Sequence, residues 1–93
     1  MPSSRKPPIM NQKIFSLGLT VEQVSIYLLC CGLVDSDQDI SIETLLEIWN
    51  GTEQMLIDGL NSLIRHNILL QVISDSEAKT VYRIMDADRW IKP

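Results

Sequence analysis

Few residues in this chain have the type and spacing to do chemistry. His66 is its only histidine, and no Cys, Ser or carboxylate stands at a catalytic spacing from it. A cation there would instead favour the C-terminal end of a helix. Cys30 and Cys31 are adjacent. On a helix their side chains diverge by about 100°, which makes a mutual disulfide awkward. They also lack the paired spacing of a zinc site, and apolar surroundings would leave them protonated and inert. Asp35, Asp37 and Asp39 alternate like the opening of a calcium-binding loop. The glycine and the bidentate glutamate that such a loop needs further on are Ile40 and Leu46 here. No glycine-rich phosphate loop occurs. These residues predict no enzyme, no metal, no cofactor and no small-molecule substrate.

The polar residues that could bind a macromolecule form two groups. Arg5, Lys6 and Lys13 precede Thr20 with no acidic neighbour, whereas five basic and twelve acidic residues follow, a net −7. Phosphate backbones are bound largely through Lys and Arg, so a folded body of that charge is a poor general binder of nucleic acid. The second group is Gln54, Asp58, Asn61 and Arg65, at helical spacing within a segment that also carries Glu53. A carboxylate facing phosphate is repulsive, and this mixture suits a protein partner better than a duplex.

The elements that position these groups can be read from apolar spacing and caps. With 93 residues, 45% hydrophobic and 22% charged, the chain is predicted to be one globular domain near the lower size limit for a useful core. Residues 1–12 hold three of the four prolines and are expected to be a flexible basic arm, with a single domain over 13–93. Ile14, Phe15, Leu17 and Leu19 should lie against the body. Thr20 and Gln23 form a capping box ahead of a first helix over 21–31, stopped at Gly32. Val21, Val24, Tyr27, Leu28 and Cys31 make one stripe of that helix, and Ile26, Leu29 and Cys30 make another. An all-round apolar helix needs cover on both sides, so the second stripe is the expected dimer face. The alternative cover is Ile14, Phe15 and Trp90 from the same chain.

Ile40 is expected to be an isolated strand residue and Ser41 the cap of a second helix over 42–49, with Ile42, Leu45, Leu46 and Trp49 facing the core. Asn50-Gly51 marks a turn, and Thr52 caps a third helix over 53–66. Its buried stripe is Leu56, Ile57, Leu60, Leu63 and Ile64, opposite Gln54, Met55, Asp58, Ser62 and Arg65. Asn67 ends it in the left-handed conformation. Strands over 68–73 and 80–84 flank a polar tip at 74–79 containing Asp75, Glu77 and Lys79. Tyr82 should face the core, and Trp90 and Ile91 should anchor the last residues. The N-terminus lacks an apolar h-region and the longest apolar run is too short to span a bilayer, which predicts a cytoplasmic protein without membrane contact.

This order is that of a small α+β winged helix-turn-helix, three helices plus a two- or three-stranded β wing. Over residues 17–73 the chain resembles winged-helix domains of the replisome-organiser and plasmid-replication type. The resemblance rests on LGLTVEQ, the apolar run of the first helix, the acidic loop, ISIETLLEIW, the turn, and a helix ending in LNSLIRHNILL. It implies a third helix that enters the major groove. The acidic face favours a regulatory or adaptor module acting through protein contacts as a homodimer. The alternative is a DNA-binding transcription or replication regulator using the third helix together with Arg5, Lys6 and Lys13.

Overall fold

The structure, a computed structural model, describes residues 10–74 and 79–91. A 3₁₀ turn, Gln12–Ser16, leads into α1 (Val21–Asp35), α2 (Ile42–Leu46) and α3 (Glu53–Arg65). An antiparallel pair follows, β1 (Leu69–Ser74) and β2 (Lys79–Ile84), then a short 3₁₀ turn at Ala87–Arg89. A single bridge from Ile40 to Tyr82 lies on the other side of β2, with the Tyr82 N–H donating to the Ile40 carbonyl at 2.8 Å. The architecture is α+β. Among the described residues no helix is long and apolar enough to cross a membrane.

Helix starts follow their caps. Thr20 and Gln23 complete the capping box of α1, Ser41 and Thr44 that of α2, and the Thr52 hydroxyl accepts the Met55 N–H at the head of α3. Helix ends depend on left-handed residues. At the end of α3, Asn67 has φ +58°, and the Ile68 N–H returns to the Leu63 carbonyl at 2.9 Å. The same closure ends α1, but at Asp37 (φ +60°), where the Gln38 N–H reaches the Leu33 carbonyl at 2.8 Å. Helix α1 therefore runs through Gly32, where the sequence predicts a stop, because Leu33 beyond it is buried and extends the packed face. The aspartates of the acidic loop are exposed, and the middle one serves as the terminator. Helix α2 is shorter than the predicted 42–49. Past Leu46 the chain turns so that the Trp49 indole N–H can donate to the Thr52 carbonyl at 2.8 Å.

The core lies between α1, α3 and the inner face of the hairpin. Leu56, Leu60 and Leu63 of α3 are buried, as are Leu45, Ile68, Leu69 and Tyr82. Burying each large aliphatic side chain contributes roughly 1.5–3 kcal/mol. Ile57 and Ile64, expected in that stripe, are half-buried at its margins, and Leu46 is exposed. Ser62, expected on the outer face, is buried, and the Gln23 side-chain amide donates to its hydroxyl.

The largest departure concerns α1, where Tyr27 and Cys31 of the expected core stripe are buried together with part of the other stripe. Ile26 and Cys30, placed by the sequence reading on a dimer face, are wholly buried, while Val21 is 78% exposed and Leu28 is also exposed. The cause is Gly59 in the middle of α3. A Cβ at that position would collide with Ile26 Cδ1, so the missing side chain is what admits Ile26 between the helices. A mid-helix glycine is unfavourable by about 1 kcal/mol relative to alanine, and this close approach is what it permits.

The flanking segments cover the other side of α1. Ile14 is buried, and Trp90 meets Tyr27 edge-on, with ring centroids 5.5 Å apart. Phe15 points outward at 59% exposure and takes no part. The body also begins earlier than residue 13: Met10 packs on the core, and the Asn11 N–H donates to the Tyr27 hydroxyl at 3.0 Å. At the far end Ile91 is exposed, yet its N–H donates to the His66 carbonyl at 2.8 Å and ties the chain to the end of α3.

Candidate functional site

Gln54, Asp58, Asn61 and Arg65 share one exposed face of α3. At 100° per residue they fall within about 60° of the helix circumference, opposite the Leu56–Leu60–Leu63 stripe. The Gln54 side-chain amide donates to Asp58 Oδ1 at 2.9 Å. That bond aligns the carboxylate along the helix surface, and Glu53 adds another exposed carboxylate in the first turn. The face is polar, and acid dominates its N-terminal half; its cation, Arg65, lies in the last turn.

The other sequence-predicted residues do not join this group. Lys13 is held elsewhere, its ammonium donating to the Ala87 carbonyl at 2.8 Å. Arg5, Lys6, Asp75 and Glu77 lie outside the described residues, and so does most of the predicted polar tip. Ile26 and Cys30 belong to the core. Leu29 alone of the expected dimer face reaches a surface depression, as a half-buried side chain.

That depression is an apolar groove of about 520 Å³ beside α3. Val21, Leu28 and Leu29 of α1 form one wall, Ile48 and Trp49 of the α2–α3 turn another, and Met55 closes the end. Val21, Leu28, Ile48 and Met55 are all exposed. Glu22 supplies a carboxylate to the lining. A smaller depression of about 400 Å³ shares Glu22 and Met55 with the first and continues to Asp58 and Arg65. The apolar groove and the exposed face of α3 are thus one continuous surface.

Local chemistry sets this shape. A Cβ on Gly51 would come within 2.9–3.0 Å of the Trp49 indole, so the glycine leaves room for the ring to lie over the turn. Gln23 accepts the Thr20 N–H at 2.9 Å and reaches Ser62 with its amide, which fixes the start of α1 against α3. Sequence reasoning gives Gln23 its capping role but missed its contact with Ser62, and it missed Gly59 as a positioning residue. The signal available for Gly59 was its place in the interior of a strong helix pattern, which needs a packing reason.

Burial pushes the Cys30 thiol up to about 12 and raises that of Cys31. Burial likewise lifts the Tyr27 hydroxyl to about 12, although it accepts the Asn11 N–H. Among the described residues no group of three or more His, Cys, Asp or Glu could hold a metal ion. A wider groove of about 740 Å³ runs beside the hairpin past Tyr27, Tyr82 and Trp90. Its aromatic lining is the margin of the core. No protein-family model, curated protein or solved structure matches the chain.

Proposed function

We propose that this chain is a small winged-helix regulatory or adaptor module that acts through protein contacts, as a homodimer. What supports the winged-helix reading is the order of elements. A bridging residue after the first helix pairs with the last strand of a hairpin that follows the third. In that arrangement α3 stands where a DNA reader would present its recognition helix.

The observation that carries the functional reading is the apolar groove opening directly onto the acid-bearing face of α3. A groove-reading helix depends on Arg, Lys, Asn and Gln at its outer face, with cations against the phosphates. Here Glu22, Glu53 and Asp58 occupy that side, and exposed Val21, Leu28, Ile48 and Met55 lie beside them. Clustered exposed apolar side chains rimmed by polar ones mark protein association.

A photo-crosslinking side chain placed in turn at Leu28 and at Asn61 tests this in living cells. Discrete protein adducts from position 28 are the expected result. Nucleic-acid adducts from position 61, with none to protein from position 28, would overturn it in favour of the DNA-binding alternative.

A further inference from the structure

From Ile14 to Ile64 the chain carries eight acidic residues and not one Lys, Arg or His. That stretch takes in α1, α2 and all of α3 except Arg65. All eight carboxylates belong to exposed residues. A run of charge is ordinarily a solvated face, and this one would be no more than that without the groove it surrounds. Glu22 lines the apolar groove, and Asp58 lines the depression that continues it. Glu47 directly precedes Ile48 in the groove wall, and Glu53 opens the helix that carries Met55. The groove lining itself holds no cation.

The apolar part is formed within the chain alone. The Trp49 indole N–H is taken by the Thr52 carbonyl, so the ring has no donor left to offer a ligand. Gly51 leaves the room that the ring occupies, and Val21, Leu28, Ile48 and Met55 stand exposed around it. At about 520 Å³ the groove has the size of a ligand site. It takes a few aliphatic side chains from one segment, the way an amphipathic helix seats its apolar face in a groove.

We propose that the occupant of this groove is a cationic amphipathic segment of a partner protein. Its aliphatic side chains fill the groove, and its Lys or Arg side chains face Glu22, Glu53 and Asp58. Charge decides among occupants, because complementary potentials favour association and like charges set face to face suppress it. Nucleic acid would set its phosphates against the eight carboxylates. A second copy docking through the same face would bring eight more. A neutral apolar segment would fill the groove and leave the acidic rim unanswered. The inference rests on the protein-contact reading and names the chemical class of the partner.

The test uses the full chain, isotope-labelled, and three synthetic helical peptides. The first has one face of Leu and one of Lys, the second has Glu for every Lys, and the third has Ser for every Leu. Fluorescence anisotropy measures binding, and amide and indole chemical shifts locate it. The Lys/Leu peptide should bind about tenfold tighter than either counterpart, with shifts at Leu28, Ile48, Trp49 and Met55. Leu28→Ala should weaken it about three- to tenfold through lost apolar burial. Glu22→Gln should weaken it about two- to fivefold, an effect that fades as salt rises. Both residues are exposed, so neither variant should change the circular dichroism spectrum. Equal binding of the Glu/Leu peptide in the groove would overturn the cationic occupant and leave the protein-contact reading standing. Shifts spread over the acidic residues with the groove unmoved would mean bulk charge attraction and overturn the proposal, as would no binding up to millimolar peptide. Groove shifts on deleting residues 1–9, with no peptide present, would make the chain's own Arg5–Lys6 segment the occupant and overturn the partner.

Discussion

Gly59→Ala is the substitution whose outcome depends most directly on how α1 meets α3. On an isolated helix it would stabilise by about 0.8–1.0 kcal/mol, the propensity difference between the two residues. In this fold the new methyl collides with Ile26 Cδ1, and Ile26 is wholly buried. Its δ-methyl can move only by leaving its rotamer in a packed core, and overpacking of that kind costs typically about 1–3 kcal/mol. The collision wins, and the net expectation is destabilisation by about 1 kcal/mol, or a melting temperature lower by roughly 4–8 °C for a domain of this size.

Ile26→Val isolates the cause. Alone it should destabilise by about 0.5–1.5 kcal/mol. It deletes the colliding atom and leaves Ile26 Cγ1 at an ordinary 3.7 Å from the new methyl. In that background Gly59→Ala should stabilise, giving a coupling of about 1–3 kcal/mol in a double-mutant cycle. Urea denaturation read by far-ultraviolet circular dichroism measures all four corners. Effects that add within about 0.5 kcal/mol, or a stabilising Gly59→Ala single variant, would refute the packing. They would also remove the reason for Val21 and Leu28 facing solvent.

Other outcomes follow from the same fold. Asp37→Gly should stabilise by up to about 1 kcal/mol, and Asn67→Ala should destabilise by about the same, because each position holds a left-handed residue at a helix end. Denaturant midpoints check both. Trp90→Ala should cost about 3–5 kcal/mol, since Trp90 is buried edge-on against Tyr27; a small loss would mean that residues 85–91 are not part of the domain. Burial raises the Cys30 thiol to about 12, so the unfolded chain releases that proton at lower pH than the native one. Below about pH 8 this thiol should contribute no pH dependence to stability. Stability should then fall as pH rises above the ordinary thiol value, by on the order of 1 kcal/mol per unit between about pH 8.5 and 10. Cys30→Ala should flatten this decline in pH-dependent denaturation.

Much of the fold was legible because caps and apolar spacing are local. Thr20, Ser41 and Thr52 mark three helix starts, Asn67 marks an end, and Ile40 proves to be the isolated bridging residue. The outer face of α3 was legible for the same reason, since Gln54, Asp58, Asn61 and Arg65 recur at helical spacing. The orientation of α1 was not. Its apolar residues surround the helix, so periodicity offers no preferred side, and the choice rests on a glycine in another helix. The stop at Gly32 was misread because glycine permits a helix end without requiring one, and burial of Leu33 carries the helix onward. Buried Ser62 was unexpected because its partner, Gln23, is on another helix. The apolar groove escaped notice because its walls come from three separate segments.

The proposed function requires that α3 present a protein-binding surface and not read DNA. Fluorescence anisotropy of a labelled mixed-sequence duplex, titrated with the intact chain and with Arg65→Ala at low and physiological salt, tests it most directly. Binding no tighter than about micromolar is expected even at low salt. The slope of log affinity against log salt should be about −3 to −4.5, as for roughly three to five neutralised phosphates, and Arg65→Ala should change it little. Nanomolar binding of a duplex in physiological salt, lost on Arg65→Ala, would contradict the proposed function and establish α3 as a major-groove reader.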